Sequence, residues 1–536
     1  VANTFDYIII GAGTAGCVLA NRLSLDHTVL LIEAGGRDTK PEIHIPAAYT
    51  KLNKTRVDWS YWGTPQSKLN NRRIYLPRGK VMGGCSSTNA MAYVRGHRLD
   101  YDEWEQLGNK AWGYEELLPY FMKSEDNAQL SNEWHQQGGE LHVSYRPHTI
   151  LSDTFVEACE STGIARNPDC NGNDHLGAGL LQFNIKNGKR HSAAVAFIKP
   201  ILERKNLTII THAHVKKILV KDQRAIGIEV LTGKNTTQKF HVKEEVLLAA
   251  GAFNSPQVLM LSGIGSKEEL GRHRIPLVHE LEGVGQNLQD HLFTGVGSWS
   301  KSKVGLNHQL TLINQMKSLF QFMANKSGPL TGSPLEANAF VNLNKTTQDR
   351  TDFQFHFVPL HLGESSVIDL YDIKSFPTNR DGYTILPILL KPKSRGSVNL
   401  QSADPKATPV IDHNFLSEDE DAATLLKGTK MAIEIVSQTP FNQYREKIIT
   451  PPLRTSDDEI MAHIKLQTET LYHPVGTCKM GHDSMSVVDD ELKVHGLSGI
   501  RVIDASIMPI IIAGNTNATV VMIAEKAADM ILKGKK

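Results

Sequence analysis

The chain has 536 residues, 21% of them charged, and a formal net charge of +1. That length suits two or more domains with full cores, or one elaborate domain, and the balanced charge leaves no electrostatic footprint for nucleic acid. The longest apolar runs, at 246–252 and 502–513, are too short or interrupted to span a membrane.

The chain enters its first apolar strand, 7–10, within a few residues, and on this reading no signal peptide is expected. The strand runs into Gly11-Ala12-Gly13-Thr14-Ala15-Gly16, then a helix over 17–25, then a second strand, 29–32, ending on Glu33. Each glycine has a physical task. Gly11 permits a tight turn, Gly13 lets a pyrophosphate approach the backbone, and Gly16 lets helix and strand pack closely. The pyrophosphate would rest on the free N–H groups and positive end of that helix. Glu33 lies 22 residues after Gly11 (33 − 11), where a carboxylate accepts from a ribose 2′-OH and disfavours a 2′-phosphate. The residues leave NAD and FAD both open. Five cysteines (Cys17, Cys85, Cys159, Cys170, Cys478) show no metal-ligand spacing. They suit reduced thiols, hence a cytoplasmic protein, with peripheral contact at an inner membrane left open.

From 41 to 77 the pattern is weakly periodic, which predicts an excursion over the surface of the nucleotide unit. The run from Arg78 through Gly79, Met82, Gly83, Gly84, Cys85, Thr88 and Asn89 to Ala92 is rich in small residues. It reads either as a loop that touches a flat ligand or as a plain turn before a helix. Further on, a strand over 243–248 leads, across 249–265, through a small-residue turn into a helix started by Pro256 and stopped by glycine, and 284–291 closes the segment. The middle of the chain changes character. A helix is expected over 310–324, and strands over 352–358, 384–390 and 397–400. In the first of these strands Phe353, Phe355 and Phe357 share one face, and Gln354 and His356 the other. That second face points either into an active site or to a satisfied structural pair beneath helices. His473 follows Leu471 and Tyr472 and precedes Pro474, a setting in which a histidine is usually structural. Near the end, Asn515-Thr516-Asn517 stands before an apolar helix over 518–532.

These runs, with 391–396, 472–478 and 504–509, resemble the glucose–methanol–choline (GMC) family of flavoprotein oxidoreductases over nearly the whole chain, and are most similar to its bacterial alcohol, choline and sorbose dehydrogenases. The resemblance implies an α/β fold: a Rossmann-type FAD-binding domain with an inserted α+β substrate domain built on an antiparallel sheet. The expected division is 1–150, 205–295 and 465–536 for the FAD unit, and 151–204 and 296–464 for the substrate unit. It implies FAD as cofactor, held by Gly11, Gly13, Thr14, Ala15, Gly16, Glu33 and Ala34; by Arg78, Gly79, Met82, Gly83, Gly84, Asn89 and Ala92; and by Val215, Asp504, Ala505, Asn515 and Thr516. Some relatives bond the flavin through a histidine at the position of Thr88. Threonine cannot form that link, so noncovalent FAD is expected.

By the same resemblance His473 and Asn517 are the catalytic pair. An imidazole takes the hydroxyl proton of an alcohol, flavin N5 takes the hydride, and the amide holds the oxygen. The expected function is FAD-dependent oxidation of a primary alcohol, aliphatic or sugar-like, with Gln354, His356 and Leu471 as candidate substrate contacts. No aromatic cluster with an acid stands out as a quaternary-ammonium cage, which weakens choline as substrate. The electron acceptor is a quinone, a dye or O₂. If 471–473 is extended, Leu471 shares a side with His473 and crowds the space O₂ needs, which favours a dehydrogenase. The alternatives are an alcohol oxidase producing H₂O₂, a hydroxynitrile lyase-like enzyme and a redox-inactive flavoprotein.

Overall fold

The computed structural model describes residues 3–233, 236–345, 350–362, 369–451 and 455–534. β1 (Thr4–Ile10) turns into α1 (Thr14–Leu23) and returns as β2 (Val29–Ile32), with Ile8 opposite Leu30 in a parallel pair. β2 and the 7–10 half of β1 are apolar without alternation because both their faces are covered. The sheet runs Leu207–Ile210, β2, β1, Thr236–Leu248, all parallel. Arg224–Thr232 and Ala213–Lys221 extend it antiparallel, and Ile500–Val502 adds in parallel to the end of Thr236–Leu248. α2 (Gly251–Leu261) begins just beyond that strand. The ends of β1 and of Thr236–Leu248 therefore open at one edge, the crevice where such sheets receive ligands.

The second sheet is antiparallel, in the order Arg445–Thr450, Val296–Ser300, Gly382–Leu389, Phe353–Val358, Ala337–Val341, Gly177–Leu180. Before its central strands comes α3 (Leu312–Asn325). The strand Phe353–Val358, here β3, keeps the expected alternation. Its phenylalanines meet the covering helices Ile150–Ser161 and Asp419–Ser437. Phe357 stacks on Phe155 with centroids 5.0 Å apart, and Phe353 fills the notch at Gly428, where a Cβ would come within 2.0 Å of the ring. His356 is thereby turned to the other side, over the crevice. α4 (Thr516–Lys533) closes the chain against α1.

The division into units differs from expectation. Ala194–Ile198 packs on α1 in the nucleotide core, and Gln182–Phe183 pairs with Ala92–Tyr93 and lies beside Leu141–Tyr145. Conversely, Leu292–Phe293 pairs with Gly382–Leu389 of the roof sheet, and Glu469–Thr470 pairs with Leu292–Phe293. The stretch 41–77 is more than surface: Tyr61, Leu69, Ile74 and Leu76 enter the roof core. Short apolar segments carry no mark of which of two cores they will join. All five cysteines are free thiols. Among the described residues no helix is long and apolar enough to cross a membrane, and no cluster of side chains suits a metal ion.

Candidate active site

Between the sheets lies a cavity of about 500 Å³, lined by the β1–α1 turn on one side and by His356 of β3 on the other. Gly11 takes φ +99°, and a Cβ there would sit 2.5 Å from the Ala249 carbonyl oxygen; one at Gly16 would lie 1.9 Å from the Gly11 carbonyl oxygen. Gly13 is different. Its missing side chain would meet nothing nearer than the Ala249 oxygen at 3.9 Å, so that face is open to the cavity. An open glycine before a helix with no acid in its first turn is the cradle a pyrophosphate needs. Glu33 Oε2 accepts from Ala12 N–H at 3.0 Å and Oε1 from Gly35 N–H at 2.8 Å, with lone pairs left for ribose hydroxyls. Burial pushes its carboxyl up to about 7 against the pull of those N–H groups. This donor set fits an adenine dinucleotide lacking a 2′-phosphate.

Thr14, Ala15, Ala34 and Val215 line the same cavity, as do Arg78, Gly79, Gly84, Asn89 and Ala92. Asp504 and Ala505 line it too; Asp504 accepts from Gly251 N–H and Ser255 O–H through Oδ2, and from Ser506 N–H through Oδ1. Three residues expected to touch the cofactor do not line the cavity. Gly16 is spent on packing beneath the turn, the Met82 side chain lies in the nucleotide core, and Gly83 N–H donates to the Ala12 carbonyl at 2.7 Å. They shape the cradle from behind.

At the roof side stands His473, held by a chain of hydrogen bonds that settles its tautomer. His291 Nε2 lies 3.0 Å from the Ile512 carbonyl oxygen, which only accepts, so Nε2 carries the proton. Burial lowers the His291 imidazole to about 4, so it is neutral and its Nδ1 is bare. His473 Nδ1, 3.0 Å from that Nδ1, must donate to it. The His473 imidazole is itself held well below its usual value by burial, then by His291, Arg78 and His356. Its Nε2 is therefore unprotonated, and the cavity holds a free base. Two further contacts fix the ring's backbone. His473 N–H donates to Asp290 Oδ1 at 2.8 Å, and Arg78 donates to the Tyr472 carbonyl at 2.6 Å.

The carboxamide hydrogen-bonded to His473 in this structure is that of Asn515, with Nδ2 3.3 Å from Nε2, and not that of the expected partner Asn517. Asn517 lines the cavity too, but its Oδ1 accepts from Thr14 Oγ1 at 2.8 Å. Asn515 is the N-cap residue, with extended backbone (ψ 129°), and Asn517 is the second residue of α4, so the two amides leave the backbone in different directions. Asn515 is the N-cap of α4 yet makes no side-chain cap, and its Oδ1 is buried without a partner among the described residues. Thr516 follows it in the lining, and no acid occupies the first turn of α4 to quench its positive end.

The face shared by Gln354 and His356 divides. His356 lines the cavity, whereas Gln354, two residues back, lies outside it, about 7 Å along the strand. They do not form the satisfied pair that was the alternative: both are fully buried, and both ring nitrogens and both amide atoms lack hydrogen-bond partners among the described residues. Burial lowers the His356 imidazole to about 3, so it too is neutral. Leu471 lines the cavity, but not through an extended segment; Tyr472 takes φ +67°, and this kink brings both neighbours inward. Asp290 and His291 join the site without having been expected there, through their contacts with His473. Their signal was present at the end of the 284–291 run, but only the fold places them against His473.

A family profile described as GMC oxidoreductase matches residues 5–293, and its C-terminal counterpart matches 392–524. The chain is 43% identical to an alcohol dehydrogenase [acceptor] of Pseudomonas putida, over 99% of this chain and 96% of that protein. It is 41% identical to an oxygen-dependent choline dehydrogenase of Sinorhizobium fredii, over 98% and 95%. Among solved structures, a pyridoxine 4-oxidase from Mesorbium loti superposes with TM-score 0.88 at 30% identity, covering 98% of each chain. A variant of Aspergillus oryzae formate oxidase, studied for its FAD modification, superposes with TM-score 0.91 at 29% identity, covering 99% of this chain and 98% of that one.

Proposed function

The chain belongs to the GMC oxidoreductase family, and from that premise we propose that it oxidises an apolar primary alcohol to the aldehyde with FAD. The observation that carries this reading is the unprotonated Nε2 of His473 facing a cavity whose opposite wall is the dinucleotide cradle. FAD, when bound, supplies the acceptor for the hydride that leaves the carbinol carbon. Gly13, the start of α1 and Glu33 would hold its adenosine diphosphate part, and the loop through Gly79, Gly84 and Asn89 with the start of α4 would hold its flavin part. His473 Nε2 takes the hydroxyl proton as a general base. Asn515 Nδ2 turns its donor from Nε2 to the substrate oxygen and keeps that oxygen in line without competing for the proton. The positive end of α4 favours the negative charge that the transfer delivers.

Substrate class follows from the roof. Leu360, Leu362, Leu370, Ile373, Phe376 and Leu386 line it, and the carboxylates in the lining, Glu33, Asp58 and Asp504, all lie outside the roof sheet. With no carboxylate among the described roof residues that line the cavity to meet a quaternary ammonium, and few polar partners for a sugar, an alkanol or arylalkanol fits best. Leu471 in the lining supports a quinone or dye, not O₂, as electron acceptor. The test is anaerobic mixing of the yellow protein with octanol, benzyl alcohol, sorbose and choline while flavin absorbance is followed. Fastest bleaching with the alkanol or benzylic alcohol is expected. Choline or sorbose winning would overturn the substrate class. Bleaching with none of them would favour a lyase or an inactive flavoprotein. Peroxide forming in air as fast as a phenazine dye is reduced would make the enzyme an oxidase.

A further inference from the structure

Fifteen large apolar side chains are well exposed among the described residues, and six of them sit on one helix, α3. Leu312, Ile313, Met316, Leu319, Phe320 and Met323 are between 44% and 76% exposed. Their spacing puts all six in one stripe about 120° wide, running the roughly 21 Å length of the helix. The protein covers a different face, on which only Ser318 and Phe322 are buried. Singly exposed apolar residues mean little, but a contiguous patch marks a partner.

We propose that α3 is a docking helix that lies flat in the surface of an anionic lipid bilayer. Charge selects this occupant. From residue 301 to 335 the chain carries Lys301, Lys303, Lys317 and Lys326 and no aspartate or glutamate, within a protein of net charge +1. Lys317 borders the stripe, four residues after Ile313 and three before Phe320, where its ammonium reaches headgroups while its stem covers apolar surface. A second copy of the chain would set these lysines against their own kind. A bilayer with anionic headgroups meets both the stripe and its basic edge.

Position gives the docking a purpose. Leu306, Gln309 and Leu310 before α3, Gln315 and Ser318 on its inner side, and Leu330 after it all line the cavity. The mouth of the site thus lies against the bilayer, and an alcohol or quinone dissolved in lipid enters without crossing water. Docking itself does not rest on the alcohol reading, because vesicle binding is measured without turnover.

The experiment is flotation of the flavin-loaded protein with vesicles of phosphatidylcholine alone or of equimolar phosphatidylcholine and phosphatidylglycerol. Wild type should float with the mixed vesicles and much less with the neutral ones or in high salt. Phe320→Glu should lower partitioning by about tenfold or more, and Lys317→Glu should weaken binding only to the anionic vesicles. Anaerobic flavin reduction by a water-soluble alcohol should be unchanged in both variants, since neither residue lines the cavity; this also reports that they fold. Protein left unbound with both vesicle types would overturn the proposal. So would a dimer in light scattering that Phe320→Glu turns into monomer, which would make the stripe a self-interface.

Discussion

Replacing Asn515 with aspartate tests the geometry of the site most directly. Asn515 Nδ2 lies 3.3 Å from His473 Nε2, so Asn515→Asp places a carboxylate oxygen at about that distance from the base. Two unit charges near 4 Å interact by about 4 kcal/mol at an effective dielectric of 20, or about 3 pKa units at about 1.4 kcal/mol each. The sign is fixed. A negative neighbour favours the imidazolium, so the His473 pKa rises from its low resting value and less neutral base remains at a given pH. The acidic limb of the pH profile should therefore move to higher pH by about 3 units, shared between the two coupled groups. The assay is anaerobic flavin reduction by an alcohol in stopped flow across the pH range. Asn517→Asp is the control: that side chain is bonded to Thr14 Oγ1, and its limb should move far less. If Asn515→Asp overlays wild type while Asn517→Asp shifts, the assignment of the pair is wrong and the tautomer argument falls with it.

His473→Ala should retain the flavin but lose alcohol-dependent reduction by about 10²–10⁴-fold, the usual cost of removing a general base; reduction at wild-type speed would make His473 structural. In wild type the reduction rate should hold as pH falls through 6.5 and fail only below it, because burial, His291 and Arg78 lower the His473 imidazole. Arg78→Met removes one positive neighbour and should move that limb upward; an unmoved limb would show that Arg78 acts only on the Tyr472 carbonyl. Acid precipitation should release the FAD into the supernatant, since the position that links the flavin in some relatives is Thr88 here, and colour kept in the pellet would reveal another covalent link. Gly16→Ala forces a Cβ to within 1.9 Å of the Gly11 carbonyl oxygen. Both elements are backbone, so the turn must open, and a lower melting temperature with reduced flavin content is expected; full FAD occupancy at an unchanged melting temperature would contradict the packing role.

Local chemistry was legible along the chain because it depends on near neighbours. The turn at Gly11, the open Gly13, the acid after β2 and the period-two alternation of β3 each follow from backbone sterics and burial over a few residues. His473, in a short run bounded by a proline, was singled out by the family resemblance and not by its local setting, which reads as structural. What the chain alone left undecided was angular phase and long-range partnership. Asn515 and Asn517 are equivalent in composition, and only the packing of α4 against α1 turns one amide to the imidazole and the other to Thr14. The tautomer of His473 depends on His291, 182 residues away, and on a carbonyl at Ile512. Gln354 and His356 share a face of β3, yet only the depth of the cavity separates lining from interior. The helix expected over 310–324 was legible as a helix; that its apolar stripe faces outward was decided by tertiary packing, because a helix does not encode which of its sides the rest of the protein will cover.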